Sequence, residues 1–224
     1  MNTKRGMRFC FAAAIVLLSF AVSVPVGANN LNRLLTGDYY GSSSYLCAAS
    51  MPTFDDELRR EGTGITFGGS SQGVTSYDGR GNYTFRGEVM SVNQDSAPAA
   101  SAVGSSPVAH FTLVCNGTYM VDDDLSISGL GECRIDPLAG PYNRPPYPPG
   151  FYALIKNVRA TGQLLGTAGN ILRVGGQTEP NVETVIFFEP TGPTPFFSYE
   201  RICTSSGTSM KIVGKGTNLR ERGK

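Results

Sequence analysis

The chain has 224 residues, with 28 Gly and 14 Pro, no Trp and only 17% charged residues. That usage excludes a helical bundle or coiled coil, which would draw on Ala, Leu, Glu and Lys, while 40% apolar residues supply enough core to exclude wholesale disorder. A formal net charge of +1 gives no basic face for a phosphate backbone, so no nucleic-acid partner is expected.

Residues 1–28 read as a signal peptide. Lys4, Arg5 and Arg8 form a basic start, an apolar run covers 9–24, and Val26-Gly27-Ala28 supplies the small-residue pattern for cleavage after Ala28. The run falls short of the ~20 residues that a spanning helix needs, so no stable membrane insertion is expected. No Cys stands at a lipoprotein cleavage position after the run, which argues against a lipid-anchored N-terminus. Cleavage takes three positive charges from the formal +1 and leaves −2. The rest is asymmetric: the stretch 211–224 carries five Lys/Arg and one Glu, and residues 214–224 are expected to be a disordered basic tail.

Residues 29–213 are expected to form one domain. Strands are predicted near 37–47, 64–67 and 74–77, the last leading through Asp78-Gly79-Arg80-Gly81 into a strand over 82–92. The Asp-Gly pair there is a strong hairpin signal. Alternation would place Tyr83, Phe85 and Val89 in the core, with Arg86 and Glu88 in water. A short helix is predicted over 53–60, because Thr53 can cap a first turn that contains Asp55, Asp56 and Glu57. Residues 93–109, rich in Ser, Ala and Pro, read as a loop. Strands over 111–115 and 125–128 flank Asp122-Asp123-Asp124, a second hairpin turn. The stretch 137–149 has six prolines and favours an extended polyproline loop across the mouth of the sheet. Further strands are predicted near 151–159, 170–174, 181–189, 196–204 and 207–213.

Strands joined to their sequence neighbours suggest an antiparallel up-and-down β-barrel of about eight to ten strands with one short helix, since closure removes exposed edges. A β-sandwich is the alternative. A membrane-spanning barrel fits less well, because the outward positions carry Ser, Thr, Arg and Glu.

Cys10 departs with the leader, and Cys47, Cys115, Cys133 and Cys203 remain, an even number that suits an oxidising compartment. Two disulfides are expected. Four cysteines allow three pairings, of which Cys115 with Cys133 is favoured because one hairpin holds both, leaving Cys47 for Cys203. No C-x-x-C spacing supports zinc. Together the leader and the cysteines point to a secreted or periplasmic protein.

The segment Tyr77-Asp78-Gly79-Arg80-Gly81-Asn82, with Gly117-Thr118-Tyr119-Met120-Val121-Asp122 after it, resembles a repeated signature of small exported bacterial proteins of lipocalin-like (calycin-type) build, similar also to the allene oxide cyclase barrel. The resemblance covers roughly residues 37–213. It implies an apolar cavity and a small apolar ligand, and it carries over no catalytic residue and no cofactor.

Catalytic signals are weak. His110 is the one histidine and reads as an exposed strand-entry residue. Gly69-Ser70-Ser71-Gln72-Gly73 matches G-x-S-x-G but precedes a strand, where a nucleophile elbow needs a helix. The Asp122–Asp124 run lacks the spacing of a calcium loop, so no metal site is assigned. Glu88, Glu132, Asp136 and Glu200 show no sign of pairing for glycoside chemistry. The Asn82 and Asn116 sequons lie beside tight turns. The candidate pocket-lining residues are Tyr83, Phe85, Phe111, Tyr119, Tyr152 and Phe187. A non-catalytic binding or carrier protein is the first expectation. A structural or surface-interaction protein of the cell envelope is the alternative, and a cyclase or isomerase comes third. No sequence feature fixes an oligomeric state.

Overall fold

A computed structural model describes residues 31–93, 108–138, 150–168, 171–178, 181–189 and 194–212. The leader, most of the Ser/Ala/Pro loop, the prolines after Pro137 and the basic tail lie outside these residues. Among the described residues nine strands follow one 3₁₀ turn, Leu31–Leu34. They are β1 (Thr36–Met51), β2 (Thr63–Asp78), β3 (Asn82–Asn93), β4 (Val108–Val121), β5 (Ser126–Pro137), β6 (Tyr152–Ala168), β7 (Ile171–Thr178), β8 (Val182–Phe188) and β9 (Pro195–Ile212). Three predicted breaks are absent: 64–67 and 74–77 are one strand, 196–204 and the described part of 207–213 are another, and β1 runs on past Cys47.

Each strand pairs antiparallel with its neighbours in the order β1-β2-β3-β4-β5-β6-β7-β9-β8. β9 also pairs with β1, from Tyr40↔Met210 to Ser50↔Glu200, and β8 with β6. The sheet therefore closes into a ring, with a β1–β9 seam that a two-sheet sandwich would lack. β7 and β8 each lie between β6 and β9, so they share one position in that ring.

The predicted helix over 53–60 does not form. Its intended cap, Thr53, donates instead to Glu200 Oε2 at 2.5 Å. Asp55 Oδ1 accepts from the amides of Glu57 (3.0 Å) and Arg59 (2.7 Å), while Leu58 sits at φ 61°. Local side-chain acceptors have won the backbone donors that a helix would need. The segment is a folded-over loop with a Phe54–Arg60 bridge. Among the described residues no helix is long and apolar enough to cross a membrane.

The two Asp turns form from their own chemistry. Asp78 accepts from the Asn82 side chain (2.6 Å) and from the amides of Arg80 (2.7 Å) and Asn82 (2.9 Å), with Gly79 at φ 74° supplying the left-handed turn residue. Those donors, the Asn82 side chain foremost, hold the Asp78 carboxyl down at about 2. In the other turn Asp124 accepts from the Ser126 amide at 2.9 Å, and Leu125 takes φ 66°.

One end of the ring is packed solid. Leu35, Tyr39, Tyr119, Val121, Ile127, Leu164 and Val174 form a buried cluster there, with Leu31 and Leu34 laid against it. The Tyr77 ring meets Tyr39 at 5.3 Å and Tyr119 at 4.9 Å, both edge-on. The Tyr119 hydroxyl lies 2.9 Å from the Leu35 carbonyl and 3.0 Å from that of Asn32, to which it donates. Asn32 Oδ1 in return accepts from the Val121 amide at 2.8 Å. The start of the described chain is thereby stitched across the short-turn end as a floor.

Candidate functional site: a hollow interior

Above that floor the described residues do not fill the ring. Two adjoining chambers, of about 460 and 270 Å³, lie along its interior and share Ser43, Ser71, Cys115, Val158 and Ser205 in their walls. The larger reaches Asn93, Pro137 and Phe151, at the strand ends from which the long connections leave.

The hollowness has a local cause. Inward positions near the waist are Gly41, Ser43, Ser71, Gly73, Ser205 and Gly207, residues with little or no side chain to fill space. Where the aromatics do point inward, they lie flat against the wall. A Cβ built on Gly73 or Gly87, which face each other across β2 and β3, would come within 2.8 or 2.7 Å of the Phe85 ring edge. Likewise, Tyr83 covers Gly117 and Gly131 on β4 and β5, at 2.6 and 2.5 Å from their would-be Cβ atoms. Glycine pairs let a neighbouring ring rest on bare backbone, and the centre stays open.

The larger chamber is mainly apolar. Phe111, Leu113, Ile135, Ile155 and Val185 line one side, while Phe187 stands at the rim with Phe151, Phe197 and Tyr199 at 5.5, 5.6 and 5.7 Å. The opposite side carries hydroxyls, including a Ser43–Ser71 hydrogen bond at 2.7 Å. Both disulfides face the interior: Cys47–Cys203 joins β1 to β9 across the seam, and Cys115–Cys133 joins β4 to β5. Tyr45, also in this wall, has its phenol pushed up by burial, a rise that a Ser91 hydrogen bond and the nearby Arg201 charge partly offset.

This wall also holds an ion pair. Glu183 on β8 and Arg201 on β9 are register partners, with Arg201 Nε donating to Glu183 Oε2 at 2.7 Å. Their side chains are 3% and 15% exposed. Neither appeared among the sequence candidates. The signal was available in the alternation, because Glu183 shares its side of β8 with Val185 and Phe187, and Arg201 precedes Cys203 by two on an inward-facing strand.

Of the six aromatic candidates, Tyr83, Phe85 and Tyr119 line the smaller chamber, and Phe111 and Phe187 the larger. Tyr152 does not belong to either. Ala153 and Ile155 take the inward positions of β6, so Tyr152 faces outward, stacked on Phe188 at 4.9 Å with the Arg134 guanidinium 4.0 Å from its ring. The carboxylate candidates are also on the outside: Glu88 is 3.2 Å from His110, Glu132 is 2.6 Å from Lys156, and Asp136 is 2.7 Å from Arg134. His110 is partly buried on that face rather than fully exposed. Ser71 of the G-x-S-x-G match sits in mid-strand, hydrogen-bonded to Ser43, away from any helix. Comparison with family models, curated proteins and solved structures finds no match to this chain.

Proposed function

We propose that this protein is an exported carrier that binds a small, mostly apolar molecule inside the ring. The observation that carries this reading is the apolar chamber of about 460 Å³, in the size range of sites that enclose small organic ligands. Such a space is costly to a fold, because its lining forgoes the contacts that close packing would give. A structural role in the cell envelope has no use for it, and a filled ring would serve that role better. Export is supported by the basic-then-apolar leader and by two disulfides, which persist in oxidising compartments.

Titration with Nile red, a neutral dye that brightens in apolar surroundings, tests the reading. The folded protein should bind the dye, and Ser71→Phe, which places a ring where the chambers meet, should abolish binding while the protein stays folded. A folded parent that leaves the dye dark contradicts the proposal. Mass spectrometry of protein exported by a host cell should show a chain beginning at Asn29 with no reactive thiol.

A further inference from the structure

We propose that the Glu183–Arg201 pair anchors a neutral hydrogen-bond acceptor, such as an ester, ketone or aldehyde oxygen, at one end of the apolar ligand; the inference rests on the carrier reading above. The fold itself does not call for this pair. Burying two charges costs more than most pairs return, and apolar residues at such sites are often as stable or more so. Around it, inward positions on the same strands are held by Val185, Phe187 and Tyr199.

The pair is also incompletely used. Arg201 spends Nε on Glu183, and among the described residues its two Nη groups make no hydrogen bond. Arg201 is the more accessible partner, at 15% against 3% for Glu183, so the guanidinium is what the chamber presents to an occupant. Its terminal N–H groups are donors only.

The charge balance selects the acceptor. Glu183 already neutralises Arg201, so an ionised carboxylate would bring an uncompensated negative charge into an apolar chamber beside Glu183. An ammonium would meet the guanidinium. A neutral oxygen takes a hydrogen bond from a charged donor and adds no charge.

Displacement of Nile red by methyl octanoate, undecane and octanoate, which are alike in length, tests the anchor. The extra carbons of undecane favour the alkane on their own, so the readout is the ester-to-alkane ratio, which should be at least about tenfold higher on the parent than on a variant without the pair, the factor expected of one hydrogen bond to a charged donor; on the parent methyl octanoate should also compete better than octanoate. Arg201→Leu alone would strand a buried carboxylate and could unfold the chain, so the informative variant is Glu183→Leu with Arg201→Leu. It should still bind Nile red, more weakly because the dye's own carbonyl loses the same donor, and its ester-to-alkane ratio should fall by that factor. Glu183→Gln, which leaves the guanidinium unbalanced, should make octanoate the best competitor. An unchanged ester-to-alkane ratio in the double variant, or octanoate ranking first on the parent, each overturn the anchor and leave the carrier reading standing. A folded parent that binds no Nile red takes down the carrier reading and the anchor with it.

Discussion

The two ends of this ring are built from the same alternating strands and reach opposite outcomes. At the short-turn end the inward positions are Leu35, Tyr39, Tyr119, Ile127 and Val174, and they meet in the middle. At the long-connection end Cys115, Cys133, Ala153, Ile155 and Val185 pack into a second buried cluster along one wall, with Phe85, Leu113 and Ile135 against it, and the glycines and serines at the waist leave the space beside that wall open. Alternation decides which side chains face in; their size then decides whether the ring is a core or a container.

The largest expected effect concerns the bridges, both of which lie in the hollow half. The Cys47–Cys203 bridge closes a separation of 156 residues and Cys115–Cys133 one of 18. Chain-entropy arithmetic assigns the first about 5 kcal/mol and the second about 3. Paired Cys→Ala replacements read by urea unfolding should therefore rank in that order, and a larger loss from the hairpin bridge would remove the seam from its central place.

Next comes a matched pair of truncations. Leu35→Ala, at a fully buried position in the packed end, should cost about 3 kcal/mol, the transfer term plus a new cavity. Leu113→Ala, in the chamber wall, should cost closer to 1, because the space it opens adjoins space already open. Equal losses in thermal unfolding would mean that the two ends are packed alike.

Titration should also separate the ends. In the packed end burial, followed by the neighbouring Tyr119, pushes the Tyr39 hydroxyl up to about 12, and burial raises Tyr77 and Tyr119 as well. A group whose pKa is raised on folding contributes stability that is complete below its unfolded value near 10 and is lost as pH climbs toward the folded one. Unfolding should accordingly begin above about pH 10, together with a steep tyrosinate absorbance change. On the acid side the Asp78 turn works in the opposite sense: its carboxyl is held low by its donors, and its contribution fades as pH falls from about 4 toward 2. Free titration of the tyrosines in the folded state would contradict the first expectation.

The smallest effects come from two hydroxyls within that same end. Tyr119→Phe removes a hydroxyl that serves two carbonyls and should cost about 1 kcal/mol. The buried Tyr39 hydroxyl makes no well-formed hydrogen bond among the described residues and has only the Thr36 backbone near it, so Tyr39→Phe should be neutral or stabilising by up to about 1 kcal/mol. Opposite signs in paired denaturation curves check both.

Much of the fold was legible because its signals are local. The period-two pattern over Phe111–Cys115 and the Asp-rich turns at Asp78 and Asp122 each act within a few residues, and the strand order they imply makes Cys47 and Cys203 neighbours once the sheet closes. The helix over 53–60 misled because Thr53 had a second partner 147 residues away, in Glu200. Tyr152 misled because aromatic character says nothing about which face a residue occupies; its parity with Ala153 and Ile155 decides that. The hollow itself was not legible. It depends on Gly73 facing Gly87 and Gly117 facing Gly131, with Phe85 and Tyr83 folded down over them, and such pairs exist only after register is set. Glu183 and Arg201 read as ordinary strand charges until their inward parity is known.

The most direct test of a packed floor beneath an empty chamber is a crystal structure of the protein under xenon pressure, since xenon enters apolar voids that water leaves dry. Xenon should bind among Phe111, Leu113 and Ile135 and should be absent around Leu35, Tyr39 and Val121. An interior filled by side chains, with no xenon at the long-connection end, would contradict the account.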